Sequence, residues 1–256
     1  MKINALYFSP TGGTKHVLDI ICSVWDCEKN YIDLCDLDSE ISFKDTDICI
    51  IAVPSFGGRI PQFLIPKFRL IHGNRAKTIL IAVYGNRAYE DTLIELKDVA
   101  ESSEFLCCCC AAAISRHSII PKYGAGRPDP DDIKELKAFS SQCQKLLLTK
   151  DFPDTFSITV PGNRPYRPYA TLPLNPKAGK SCTGCGICSR RCPVGAIPSD
   201  NLCKCSKETC ISCMQCVSIC PHGARHVSSA ILKAAELKLK KVCGKRKENQ
   251  FFLPEI

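Results

Sequence analysis

The run Asp47-Ile48-Cys49-Ile50-Ile51-Ala52-Val53 and its echo Thr78-Ile79-Leu80-Ile81-Ala82-Val83-Tyr84 decide the fold class of the first half of the chain. Neither run alternates apolar with polar residues. That is the pattern of strands buried on both faces of a parallel sheet. Another short apolar run, Ile3 to Phe8, precedes them. Helical patterns accompany the runs. Val17, Leu18, Ile21, Val24 and Trp25 have helical spacing within Thr14 to Trp25. Asp129-Pro130-Asp131-Asp132 reads as a helix start, with a cap, Pro at the first position and acids in the first turn. Ile133, Leu136, Phe139, Cys143 and Leu146 follow on one face. Alternating βα units imply an open, doubly wound α/β sheet.

Composition narrows the function. Of 256 residues, 20 are Cys, yet Met1-Lys2-Ile3-Asn4 leads into no long apolar segment of the signal-peptide kind. The longest apolar run, Phe105 to Ile114, has ten residues, too few to span a membrane. The expectation is a cytoplasmic protein without a membrane span, in which dense cysteine means metal or redox chemistry. At 45% hydrophobic and 23% charged residues, disorder is not the default. The net charge of +8 is uneven. Residues 1–150 carry 18 Lys and Arg against 19 Asp and Glu, and residues 151–256 carry 16 against 7. Between Val160 and Pro176 lie five prolines (Pro161, Pro165, Pro168, Pro173 and Pro176), the mark of an extended linker or arm. The division is therefore 1–150, an arm at 151–177, a small domain at 178–228 and a basic tail at 229–256.

The small domain is an internal repeat. Cys182-x2-Cys185-x2-Cys188-x3-Cys192-Pro193 recurs 28 residues later as Cys210-x2-Cys213-x2-Cys216-x3-Cys220-Pro221. Three-residue steps wrap thiolates around one face of a cubane, and the fourth Cys reaches the neighbouring cluster. Cys182, Cys185, Cys188 and Cys220 are then the ligands of one [4Fe–4S] cluster, and Cys210, Cys213, Cys216 and Cys192 those of the other. The alternative is a pair of four-thiolate zinc sites, but those come as separated Cys-x2-Cys hooks.

Three loops follow strands of the first domain, where ligands of doubly wound sheets sit. Ser9-Pro10-Thr11-Gly12-Gly13-Thr14 offers hydroxyls, glycines and a helix N-terminus to an anion. It is neither a Walker loop nor a Gly-x-Gly-x-x-Gly fingerprint. Pro54-Ser55-Phe56-Gly57-Gly58-Arg59-Ile60-Pro61 and Tyr84-Gly85-Asn86-Arg87-Ala88-Tyr89 each combine an aromatic ring with glycine and a basic residue. Aromatic faces suit a flat ligand, and glycines allow close backbone approach. Ordinary strand-to-helix connections are the competing reading.

Together the three loops resemble those of flavodoxin, over roughly residues 1–150. The resemblance implies a five-stranded 2-1-3-4-5 sheet that binds FMN. Ser9, Thr11, Gly12, Gly13 and Thr14 would hold its phosphate. Pro54, Phe56, Gly57, Gly58, Arg59, Tyr84, Gly85, Asn86, Arg87 and Tyr89 would lie around its ring. Arg59 or Arg87, if aimed at the N1 edge, would raise the flavin potential. Residues 178–226 resemble bacterial dicluster ferredoxins, a smaller α+β domain. The whole chain, with Tyr84 to Asp91 and Val160-Pro161-Gly162-Asn163, resembles the flavodoxin–ferredoxin fusions of anaerobic bacteria and archaea.

Other candidates read as structural. Cys107-Cys108-Cys109-Cys110 is expected to be the buried fifth strand, because strand neighbours point to opposite faces and do not converge on one ion. Cys22, Cys27, Cys35, Cys49 and Cys143 take the same reading. Cys203 and Cys205 are not expected to be ligands, and Cys243 is expected to be exposed. His117 reads as a satisfied loop histidine, and His222 and His226 as surface residues. Lys233 to Lys247 reads as a solvated amphipathic helix, or more sharply as a docking patch for an acidic partner. No reader motif supports nucleic-acid binding, and no triad or metallohydrolase helix suggests hydrolysis. The expectation is an electron-transfer protein that passes electrons between two clusters and FMN and takes them from a redox protein partner. A flavin-dependent reductase of a small molecule is the alternative. A sensing module with structural clusters and no flavin is a third reading.

Overall fold

A computed structural model describes residues 2–153, 156–169 and 174–254, so Pro173 of the proline-rich arm lies outside it. In chain order the first half comprises β1 (Lys2–Tyr7), α1 (Gly13–Cys22), β2 (Glu28–Asp33), β3 (Ile41–Ser42), β4 (Ile48–Pro54), α2 (Leu64–Phe68), β5 (Ile71–His72), β6 (Lys77–Tyr84), α3 (Thr92–Ser102), β7 (Leu106–Ile114) and α4 (Pro130–Thr149). The second half comprises β8 (Lys177–Ala178), α5 (Ile187–Arg190), α6 (Gln215–Ser218), β9 (Arg225–His226), α7 (Ser229–Cys243) and β10 (Gln250–Phe252).

Five strands pair in parallel in the order β2-β1-β4-β6-β7, the expected 2-1-3-4-5 arrangement. Both faces of the sheet are buried. On β4, Ile48, Ile50 and Ala52 meet Val17, Leu18 and Trp25 with Leu136 and Phe139 of α4. Cys49, Ile51 and Val53 meet Leu64 of α2 and Leu93 and Leu96 of α3 on the other face. Each Val, Leu, Ile or Phe among them stabilises the fold by about 1.5–3 kcal/mol when fully buried. Trp25 is completely buried, and its indole N–H donates to Ser140 Oγ at 3.0 Å. The α4 start is a full capping box: Asp129 accepts from the Asp131 and Asp132 N–H groups, and Asp132 accepts from the Asp129 N–H. The four cysteines do form strand β7, fully or almost fully buried. A register shift between Thr78 and Ile79 leaves Cys108 as an extra residue. Cys108 and Cys109 consequently share one face, with Cys107 and Cys110 on the other.

The sheet has six strands rather than five. β10 pairs antiparallel with β7, placing Phe251 opposite Ala111 and stacked on Phe139 at 4.8 Å. Residues 229–252 are therefore not a solvated tail. On α7, Leu232, Ala235, Leu239 and Cys243 pack on Ile119, Ile120 and Tyr123, and Leu232 and Ala235 also meet Leu174, Met214 and Val227. Cys243, expected to be exposed, is buried. Ile231 and Val242 of the same helix are 43% and 47% exposed. The strap is held by side chains of the first domain. Asn86 donates to the Cys243 and Lys245 carbonyls at 2.8 and 3.0 Å and accepts the Lys247 N–H at 3.1 Å. Tyr84 Oη donates to the Glu248 carbonyl at 2.9 Å, and Asn249 Oδ1 accepts the Ile114 N–H at 2.9 Å.

The arm lies along α3. Asp91 accepts the Asn163 and Arg167 N–H groups at 2.9 and 2.7 Å, and Asp98 accepts from Arg164 and Tyr166. Beyond it, β8 and β9 pair antiparallel and bracket the cysteine repeat.

Asn86→Ala removes three hydrogen bonds that fasten the strap. Stability is expected to fall by about 1–3 kcal/mol, read as a lower denaturant midpoint. Hydrogen exchange at residues 250–252 is expected to quicken by more than the global loss alone would cause.

Candidate functional site

The loops at the carboxyl ends of β1, β4, β6 and β7 form one cleft. Its first part is a cavity of 360 Å³ at the start of α1, lined by Thr11, Gly12, Gly13, Ser115, Arg116 and Arg127 among others. Gly12 takes φ +85° at the cap of α1, a left-handed conformation that glycine adopts without penalty. Ser9 Oγ accepts the Lys15 N–H at 2.8 Å, so Ser9 shapes the loop and does not line the cavity. A Cβ on Gly13 would stand 2.5 Å from Ser115 Oγ, which shows how closely the β7 loop meets the helix start. Helix N–H groups, hydroxyls and Arg116 make this end fit an anion, whereas the Arg127 guanidinium is already paired with Asp132.

The second part is a cavity of 310 Å³, lined by Phe56, Gly57, Tyr84, Gly85, Arg87 and His117 from the first domain. Ile211 and Ser212 line it from the second domain, Tyr169 and Arg167 from the arm and Leu239 from α7. Thr14 and Pro54 line a smaller recess together with Thr11, Gly13, Phe56 and Tyr84, so it joins the two parts. Aromatic and apolar walls make this end fit a flat ring.

His117 sits where the two parts meet. Its Nδ1 accepts the Ile119 and Ile120 N–H groups at 3.1 and 3.2 Å, which leaves the proton on Nε2. Burial, reinforced by the Arg87 charge, pushes the imidazole down to about 4. A Cβ on Gly85 would come within 2.7 Å of His117 Cα, so glycine is required for this contact. The expectation of a satisfied loop histidine holds, and the residue also lines the cleft.

Five residues expected around the cofactor lie elsewhere. Besides Ser9, these are Gly58, Arg59, Asn86 and Tyr89. Gly58 backs onto Glu90 and Arg167. Arg59 is not aimed at the ring cavity: it binds both carboxylate oxygens of the buried Glu95 at 2.7 and 2.6 Å and stacks 4.7 Å from Tyr166. Asn86 and Tyr89 hold the strap, Tyr89 through Gln250. Arg87 does line the ring cavity, but its guanidinium pairs with Glu90. Ser115, Arg116 and Ser118 were not singled out, although they follow β7 by the same strand-end rule. Ile211, Ser212 and Leu239 carry no local signal, because they arrive from other parts of the chain.

The repeat cysteines line two further cavities. Cys182, Cys185, Cys188 and Cys220 line the outer one, and Cys185 is exposed. Cys192, Cys210, Cys213 and Cys216 line the inner one. The Ala196 N–H points at Cys192 Sγ at 3.2 Å, and 28 residues on the Ala224 N–H points at Cys220 Sγ at 3.3 Å. Burial pushes the Cys213 and Cys216 thiols up to about 12. Thiolates there need cationic compensation, which a bound metal supplies. Cys205, not expected to be a ligand, lines the inner cavity beside Cys210. His222 lines the outer one.

Residues 180–197 and 206–226 match the family model of the 4Fe-4S binding domain. No curated protein matches the chain significantly. Among solved structures, a flavodoxin of Streptococcus pneumoniae TIGR4 shows 14% identity and a TM-score of 0.41, over 57% of this chain and 99% of that one. A flavodoxin from the domain Archaea shows 13% identity and a TM-score of 0.39, over 57% and 97%. The azoreductase AzrA shows 9% and 0.39, over 56% and 100%. At such scores the fold rests on the strand order of the chain itself.

The His117 ring is expected to stay neutral down to pH values near 4, read as the midpoint of its ring-proton NMR shift. The unfolded chain takes up this proton near 6.5. The contribution of His117 to stability is therefore complete above 6.5 and lost as the pH falls toward 4. Gly85→Ala displaces the ring, and its midpoint is expected to return toward 6.5. A midpoint near 6.5 in the parent protein would refute the buried placement.

Proposed function

We propose that this chain is an electron-transfer protein of the flavodoxin–ferredoxin fusion type, with two [4Fe–4S] clusters and one FMN. One observation carries the reading. Ile211 and Ser212, which lie between the cluster-motif cysteines Cys210 and Cys213, line the same cavity as Tyr84, Gly85 and Arg87. The inner cysteine site and the ring site therefore share a wall. When bound, the clusters supply one-electron steps and the flavin both one- and two-electron steps.

The residues have separate tasks in this reading. Thr11, Gly12, Gly13 and Thr14 with the α1 N-terminus receive a phosphate. Phe56, Gly57, Tyr84 and Gly85 border the ring, and His117 holds a proton at Nε2 beside it. Cys185 places the outer site at the surface, where an external donor reaches it. Among the described residues no helix is long and apolar enough to cross a membrane.

Purified without oxygen, the protein is expected to carry about eight iron atoms and one FMN. Zinc in place of iron would refute the cluster half of the reading. Failure to retain FMN after reconstitution would refute the flavin half.

The partner that fits is an acidic redox protein, docked on the outer face of α7. There Leu237 is 72% exposed, with Lys233, Lys240 and Lys241 one turn away on either side. Leu239, on the inner side of the same helix, lines the ring cavity. A partner on the outer face thus stands about one helix diameter, roughly 10 Å, from that cavity. Replacing Lys240 and Lys241 together by Glu is expected to slow reduction by an acidic ferredoxin at least tenfold at low salt and to abolish its salt dependence. Unchanged rates would exclude this face.

A further inference from the structure

The two cysteine cavities differ by one thiol. The outer one is lined by Cys182, Cys185, Cys188 and Cys220. The inner one is lined by Cys192, Cys210, Cys213 and Cys216, and also by Cys205. A cubane takes four thiolates, so the inner site has a thiol to spare. The internal repeat shows that the extra thiol belongs to one copy alone. Cys205 stands five residues before Cys210, and the residue five before Cys182 is Lys177, which does not line the outer cavity. Cys203, two residues before Cys205, is exposed and lines neither cavity.

Backbone contacts fix Cys205 in that wall from both sides. The Lys204 carbonyl accepts from Arg225 Nη2 at 3.3 Å, and the Ser206 N–H donates to the Ala196 carbonyl at 2.8 Å. Ala196 is the residue whose own N–H points at the Cys192 sulfur. Cys205 and Cys210 then meet at one atom. The Ser206 carbonyl accepts the Cys210 N–H at 3.1 Å, which closes a turn, and the Cys205 thiol lies 3.9 Å from the same oxygen. A contact of that length holds the thiol weakly and leaves its sulfur available to a metal. The rest of the inner lining is proline, aliphatic residues and Met214, so among the described residues no carboxylate or imidazole competes with it there.

We propose that Cys205 is an exchangeable fifth ligand of the inner iron–sulfur site, which takes over the iron that Cys210 holds when that bond opens. The inference rests on the cluster reading given above. The thiolate is the form of cysteine that binds metal. In the exchange the Cys205 Sγ–H bond breaks and an Sγ–iron bond forms. The Cys210 Sγ–iron bond breaks, and that sulfur takes up the proton. Ligand count, charge and oxidation state are unchanged, so the step needs no oxidant or reductant. The outer site, with Lys177 at the matching position, has no such reserve. The site so secured is the one that shares a wall with the ring cavity.

The test uses the full chain purified without oxygen, with iron and sulfide counted and the reduced protein followed by EPR. Cys210→Ala is expected to keep a four-iron inner site, and so about eight iron atoms in all. Cys182→Ala, its counterpart in the outer copy, is expected to lose the four-iron form of the outer site. Cys205→Ala combined with Cys210→Ala is expected to lose that of the inner one. A Cys210→Ala protein whose inner site is empty or incomplete would overturn the proposal. A Cys182→Ala protein or a double variant that keeps both four-iron sites would show that no reserve thiol is needed, and would overturn it too. Cys205→Ala alone leaves every motif cysteine in place, so it decides the matter even where Cys210→Ala does not fold. Its inner iron is expected to pass to a chelator about tenfold faster than that of the parent protein. An unchanged rate would overturn the proposal. A parent protein without iron would instead overturn the cluster reading.

Discussion

Asp91 accepts three N–H donors from the arm that joins the two halves: the Asn163 N–H, the Asn163 Nδ2 and the Arg167 N–H, at 2.9, 3.1 and 2.7 Å. The carboxylate is 2% exposed and lies at the cap of α3. Burial alone would raise its pKa, but these donors and the Arg167 charge hold it below the usual carboxylate range. A buried ion of this kind is stable only in one geometry, because each lost donor leaves charge uncompensated. It fixes the path of the arm along α3, and with it the approach of the cysteine repeat to the cleft. The shared wall at Ile211 and Ser212, the packing of Cys213 in the sheet core and the seating of α7 all depend on that approach.

The two halves of the repeat have diverged where they face different neighbours. Gly184 and Gly186 take φ +75° and +73°, and their counterparts Ser212 and Met214 take +54° and +63°. Left-handed backbone costs a non-glycine residue about 1–2 kcal/mol. At these positions the side chains return something for it. Ser212 donates to the Leu174 carbonyl at 3.3 Å and lines the ring cavity, and Met214 packs with Leu174 and Val227. The outer copy, facing solvent, has no packing to gain and keeps glycine.

Much of this was legible from sequence, for reasons that differ by element. The β4 and β6 runs read correctly because both faces are buried, so hydrophobicity alone marks them. The α4 start read correctly because capping is local chemistry. Each of the two sets of four cysteines expected from the spacing, with the fourth cysteine crossed over, lines one cavity. β10 did not read as a strand. Gln250-Phe251-Phe252 is only three residues, and Phe251 pairs with Ala111 of β7, 140 positions away in the chain. Arg59, Asn86 and Tyr89 had the right residue types in the right loops, yet their partners Glu95, Lys245 and Gln250 come from elsewhere.

The sequence by itself determined the parallel sheet, the glycine-containing loop at the start of α1 and two sets of four thiols. Each depends on contacts within a few residues or on a periodicity that repeats along the chain. Only the tertiary structure decided that the inner thiol site, rather than the outer, borders the ring cavity, that the basic tail adds a strand to the sheet, and that Arg225 is buried between the Pro176 and Lys204 carbonyls. Those outcomes depend on which surfaces meet when the arm is pinned at Asp91, and a buried charge or a shared wall acquires its meaning from neighbours that local sequence does not name.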